Sequence, residues 1–202
     1  MKTISQFKYF LILFVILVAG LNETFSQSVK KSAPLETAQI TGITVKPLKI
    51  GNYEFTDSLD NKISLSDFKG KFILIDVWFT GCGACISVNQ GLKTVHDSLK
   101  NKNIVFLSIS VDSNKELWLQ SVRSDTTKTK LNYWAGRYAP AKGTIILYTG
   151  GNGMSNSFIK THVLKGYPQL LLIDPKGNLI SSNPPRPDYE PLKLINHIMQ
   201  FL

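Results

Sequence analysis

The 202-residue sequence predicts an α/β fold, a central mixed β-sheet with helices on both faces. Three observations predict it. Phe72-Ile73-Leu74-Ile75-Asp76-Val77-Trp78-Phe79 is almost wholly apolar, as in a strand covered on both sides. Val88, Leu92, Val95 and Leu99 then recur at spacings of three and four, the stripe of an amphipathic helix. A second apolar run, Ile104 to Val111, follows. Strand, helix, strand in this order implies a right-handed crossover between parallel strands.

The first 26 residues stand apart from that fold. Lys2 and Lys8 form a basic start, Tyr9 to Leu21 an apolar stretch, and Thr24-Phe25-Ser26 a small-residue cleavage site before Gln27. The apolar stretch is shorter than the ~20 residues that a bilayer-spanning helix needs. A cleaved signal peptide over 1–26 is therefore expected, with a retained anchor as the alternative. No cysteine follows the apolar stretch, so a lipid anchor at the cleavage site is excluded. The expected location is exported and periplasmic, with membrane attachment only if the segment is retained. Residues 27–45 are polar and small with no sustained period, and read as a flexible leader. The domain is expected over 46–202, a length that suits one core.

Within the domain, Tyr53 to Thr56 and Ile63 to Leu65 read as short strands. The turn residues Asp60 and Asn61 between them suggest a hairpin. Ser66 to Gly70 reads as a helical turn closed by glycine. After Val111 the pattern weakens. Glu116 to Val122 reads as helix, Thr144 to Tyr148 as strand, Gly150 to Gly153 as loop and Asn156 to Val163 as helix. Leu170 to Ile173 and Leu179 to Ser181 flank the turn Asp174 to Asn178 and read as a hairpin. Asn183 to Pro187 is a proline-rich loop. Tyr189 to Leu202 reads as a closing helix with Leu192, Ile195, Met199 and Leu202 on one face.

The formal net charge is +9, from 23 Lys and Arg against 14 Asp and Glu. The lysines are scattered, with small clusters at Lys30-Lys31 and Lys128 to Lys130, and read as a solvated surface. No basic stripe interleaved with aromatics points to nucleic acid. Gly150-Gly151-Asn152-Gly153 lacks the Lys-Ser/Thr of a phosphate loop.

The chemistry lies in Cys82-Gly83-Ala84-Cys85, which holds the sequence's two cysteines. A CxxC between a buried strand and a helix is a redox arrangement. Backbone N–H groups and the dipole at a helix start favour a thiolate on Cys82. Cys85, a turn on, can resolve a mixed disulfide. A purely structural disulfide would close a tiny loop and remove little unfolded-state entropy. A structural metal would need two further ligands, and His96, His162 and His197 stand at no ligand spacing. No metal and no organic cofactor is expected. Asp76 interrupts the apolar strand on the face of Leu74 and Trp78. Burial would raise its pKa and make it a proton carrier for the resolving thiol. Tyr167-Pro168 precedes an apolar strand, and the general preference of X–Pro bonds is trans.

Asp76-Val77-Trp78-Phe79-Thr80-Gly81-Cys82-Gly83-Ala84-Cys85 resembles the active-site strand and turn of thioredoxin. The hairpin ahead of it, with Leu65 to Lys71, is similar to the exported TlpA/ResA-like branch of thiol–disulfide oxidoreductases. So is Gly166-Tyr167-Pro168-Gln169 with the hairpin after it. The resemblance implies a thioredoxin fold with an N-terminal β-hairpin extension and an insertion before the cis-proline segment. It implies Cys82 as nucleophile, Cys85 as resolving cysteine, Asp76 as buried acid and Pro168 as a cis-proline facing the disulfide. Trp78, Gly81 and Tyr167 are expected on the substrate side, with Trp78 a core or site-wall aromatic, or both. Ala84 and Gly81 depart from the family's usual proline and tryptophan, and Gln90-Gly91 stand where a helix proline is usual.

The function these readings imply is dithiol–disulfide exchange with protein substrates, as a reductant of the cytochrome c maturation type, recharged by an upstream redox partner. The alternative is a binding module that uses the 112–165 insertion. Peroxide reduction is a third reading, weakened by the lack of a cysteine outside the CxxC.

Overall fold

In the computed structural model, residues 49–123, 133–163 and 166–202 are described. The expected signal peptide and leader lie outside them. Seven strands form one mixed sheet. They are β1 (Glu54–Thr56), β2 (Lys62–Ser64), β3 (Phe72–Trp78), β4 (Ile104–Ser110), β5 (Ile145–Tyr148), β6 (Gln169–Ile173) and β7 (Leu179–Ser181). The spatial order is β2-β1-β5-β4-β3-β6-β7. β3, β4 and β5 run parallel, while β6 lies antiparallel to β3 and β7 to β6. The first hairpin, β1–β2, joins the sheet through an antiparallel contact of β1 with β5. Asp57 builds its turn by accepting hydrogen bonds from the N–H groups of Leu59 and Asn61.

The alternation along β3 divides the core. Ile73, Ile75 and Val77 face one side, where Leu107, Ile109, Leu147 and Leu171 join them with Phe158 and Ile159 of helix α3 (Ser157–His162). Leu74 faces the other side, against Val88, Val95 and Leu99 of α1 (Gly83–Leu99) and Leu194 and Ile198 of α4 (Pro191–Met199). Each such side chain, once buried, contributes about 1.5–3 kcal/mol. The three-and-four spacing that marked α1 is the spacing of its buried face.

α4 corrects one expectation. Its buried residues are Leu194 and Ile198, whereas Leu192, Met199 and Leu202 are exposed. Two interleaved apolar rows both satisfy the helical period, and packing against α1 selects the second. Gly91, on the same buried stripe of α1 as Val88 and Val95, permits a close approach. A Cβ there would lie 2.1 Å from the Pro187 carbonyl oxygen, so the proline-rich loop rests directly on α1.

The long segment after Val111 is woven into the sheet. It supplies α2 (Lys115–Val122), β5 and α3, and β5 lies between β1 and β4. No helix among the described residues is long and apolar enough to cross a membrane.

Candidate active site

β3 ends at Trp78 and the chain turns through Phe79, Thr80 and Gly81 into α1. Asp112 shapes that turn from the end of β4. Its carboxylate accepts from the Thr80 N–H at 3.1 Å, the Thr80 hydroxyl at 2.8 Å and the Ser110 hydroxyl at 2.6 Å. Gly81 has φ +97°, a conformation that glycine takes without steric cost. A tryptophan would be strained in this conformation. An indole is present all the same. Trp134 comes from a distant part of the chain and lies 3.5 Å from where a Cβ on Gly81 would stand.

Cys82 caps α1. Its sulfur accepts from the Cys85 N–H at 3.1 Å and its carbonyl from the Ile86 N–H at 3.2 Å. Cys82 and Cys85 are joined as a disulfide, with Cα atoms 5.2 Å apart. Cys82 is 8% exposed and Cys85 is wholly buried, so an incoming group reaches Cys82 first. In the reduced protein the Cys85 N–H that faces the Cys82 sulfur, with the helix dipole, favours its thiolate.

Asp76 lies on the same face of β3 as Trp78, which packs in one cluster with Cys82 and Cys85. The Asp76 carboxyl is 4% exposed, and burial raises its pKa from the ordinary 3.8 to about 7. The Tyr138 hydroxyl donates to Asp76 Oδ2 and opposes part of that rise. Asp76 Oδ1 has no hydrogen-bond partner among the described residues. It borders a cavity of about 20 Å³, lined also by Asn89, Ser108, Pro140 and Thr144. A space of that size holds a single water.

The Tyr167–Pro168 bond is cis. The resemblance implied this against the general preference for trans. Gln169, next along, pairs with Val77 of β3, and Tyr167 packs against the cysteine-bearing cluster. The Phe79 and Tyr167 rings meet edge-to-face at 5.5 Å. β6 therefore carries the cis-proline segment to the end of β3 that holds the disulfide.

The structure thus assembles Cys82, Cys85, Asp76, Gly81, Tyr167 and Pro168 at one end of the sheet. Trp78 takes the core position among the alternatives. It is fully buried, donates from Nε1 to Ser108 Oγ at 2.8 Å, and stacks on Tyr138 at 3.4 Å. It packs in one cluster with Cys82 and Cys85. Sequence reasoning missed Asp112, Trp134 and Tyr138. All three come from the segment with the weakest periodicity, and nothing local to them signals a site.

A family model described as AhpC/TSA matches residues 48–182. The chain belongs to the AhpC/TSA family. Solved structures agree on a thioredoxin fold. One is the thioredoxin domain of a thiol–disulfide oxidoreductase from Bacteroides vulgatus. It has 23% identity and a TM-score of 0.59 over 79% of this chain and 99% of that one. A second Bacteroides vulgatus protein, assigned the name thiol–disulfide oxidoreductase, has 29% identity and a TM-score of 0.56. The match spans 78% of this chain and 92% of that one. A thiol:disulfide interchange protein from Bacteroides sp. has 24% identity and a TM-score of 0.56, over 77% and 89% of the two chains.

Proposed function

We propose that this family member is an exported protein dithiol–disulfide oxidoreductase that works as a reductant. The coarse activity, thiol–disulfide exchange, agrees with the name carried by the 29%-identical Bacteroides vulgatus neighbour. One observation carries the reading. The Cys82–Cys85 disulfide caps the start of α1, at the end of the sheet where buried Asp76 and the cis Tyr167–Pro168 bond also lie.

The exchange balances as follows. The Cys82 thiolate attacks a substrate disulfide, one substrate sulfur leaves as a thiolate and takes a proton, and a mixed disulfide remains. Cys85 passes its thiol proton to the Asp76 carboxylate and attacks Cys82 Sγ. The second substrate sulfur leaves and is protonated. The substrate gains two electrons and two protons, and the Cys82–Cys85 disulfide forms. An acid with a pKa of about 7 is suited to exchange protons near neutral pH. An upstream dithiol then returns the enzyme to its reduced form. The basic start and apolar stretch of the sequence support export, and the similarity to the TlpA/ResA-like branch supports disulfides of exported proteins, apo-cytochrome c among them, as substrates.

Trapping tests the mechanism. Cys85→Ser should accumulate a mixed disulfide through Cys82, and Cys82→Ser should form none and reduce no model disulfide. Equal trapping by both variants, or reduction by Cys82→Ser, would overturn the assignment of roles. The reduction potential tests direction. A value near about −270 mV supports a reductant, and one near about −120 mV refutes it.

A further inference from the structure

Tyr138 lies 62 residues from Asp76 in sequence, yet its hydroxyl donates directly to Asp76 Oδ2. Its position is fixed several times over. The Tyr138 N–H donates to the Ser121 carbonyl at 2.9 Å, which ties it to α2. The next residue, Ala139, accepts from Asn89 Nδ2 at 3.2 Å, which ties the segment to α1. The ring lies flat on Trp78, 7° from parallel, and is 2% exposed. A tyrosine needed only for packing would not have to aim its hydroxyl at a buried carboxyl.

The geometry points to Tyr138 as a positioning residue for the exchange reaction: its hydroxyl orients the Asp76 carboxyl and holds it in the ionised form that takes the Cys85 proton. This deepens the reading under Proposed function and rests on it. The surroundings leave that task to Tyr138. On β3 the neighbours on the same face are Leu74 and Trp78. Across the strands Asp76 pairs with Ser108 of β4 and Leu170 of β6. α1 supplies Asn89 to the cavity beside the carboxyl and Cys85 to the adjoining cluster. Among these residues only Tyr138 and the reduced Cys85 titrate, and none is a fixed cation. A hydrogen bond to the charged form favours ionisation, while burial opposes it. Burial first, and then the charge and hydrogen bond of Asp76, push the Tyr138 phenol well above its ordinary pKa of 10, so it remains a donor throughout the working range.

Tyr138→Phe tests this, because it keeps the ring and removes the donor. Wild type and variant are titrated as oxidised proteins by carboxyl NMR. Disulfide reduction by the reduced proteins is then measured from pH 5 to 9. The Asp76 midpoint should rise by about one pH unit or more, and the acid limb of the reduction rate, where the rate climbs with pH as Asp76 ionises, should move with it. Near pH 7 the rate should fall about fivefold or more, with recovery toward wild type at pH 9. In an Asp76→Asn background the added Tyr138→Phe change should leave the pH profile unmoved. A uniform loss of rate with an unmoved midpoint would mark a packing role and overturn the proposal. If Tyr138→Phe fails to fold, the wild type decides. Tyr138 ring resonances should inflect at the Asp76 midpoint, and resonances flat through that pH would overturn the proposal. Wild type inactive toward disulfides would refute the proposed function, whereas the carboxyl titration reads Tyr138 independently of activity.

Discussion

Asp76→Asn should make this protein less stable than wild type at acid pH, by about 1–3 kcal/mol, and more stable than wild type at alkaline pH. The magnitude follows from the buried carboxyl. Its pKa rises from 3.8 to about 7, and each pH unit of such a difference is worth 1.36 kcal/mol. The sign follows from proton binding. As pH rises above 3.8 the unfolded chain releases this proton first, while the native state still holds it. Stability from a raised acid is therefore fully present below 3.8 and is lost as pH climbs to about 7. Above that value the native protein carries a buried charge at a cost of about 4 kcal/mol. Asparagine keeps the shape, stays neutral at every pH, and offers the Tyr138 hydroxyl an amide oxygen. Its NH₂ group lies where Oδ1 lacks a partner, which adds a penalty of about 1–3 kcal/mol that does not vary with pH. The assay is denaturant unfolding of both oxidised proteins at pH 4, 6 and 8, since the disulfide removes thiol titration. The stability difference should shift in favour of Asn by about 4 kcal/mol between pH 4 and 8. Parallel curves for the two proteins would refute the argument, because they would mean that Asp76 binds its proton equally in the folded and unfolded chain.

Two further substitutions test the surroundings of the site. Gly91→Ala should lower the thermal midpoint, because its Cβ would meet the Pro187 backbone at 2.1 Å and overpacking costs about 1–3 kcal/mol. That exceeds the gain in helix propensity of about 1 kcal/mol, and a stabilised variant would show that the proline-rich loop does not rest on α1. Trp134→Ala should raise KM for a protein disulfide about two- to tenfold, the worth of one aromatic contact, and change the rate with a small disulfide less. An unaltered KM would remove Trp134 from the substrate-facing surface beside Gly81.

The first half of the domain was legible because its signals are local. The apolar run of β3, the stripe on α1 and the CxxC between them each lie within one contiguous stretch. Burial of β3 on both faces also made Asp76 conspicuous, since an acid in such a run has to be neutralised or partnered. α4 was legible as a helix but not in its orientation. Leu192 and Met199 have the same spacing logic as Leu194 and Ile198, and only contact with α1 separates them. What covers Trp78 was not legible for a related reason. Alternation gave its face, but Tyr138, which covers it, comes from 60 residues further along.

By itself the sequence determined the strand–helix–strand unit, the pair of thiols at its turn and the acid on the adjoining strand. Periodicity and spacing are properties of neighbouring residues, and they survive without a fold. Only the tertiary structure decided what stands around those thiols. Asp112 shapes the turn, Trp134 fills the space beside Gly81, and Tyr138 meets Asp76. These contacts join segments tens of residues apart, where no periodicity links the partners. The Asp112 contact follows from the parallel pairing of β3 with β4, and the other two from Trp134 and Tyr138 lying against Gly81 and Trp78 at the end of β3.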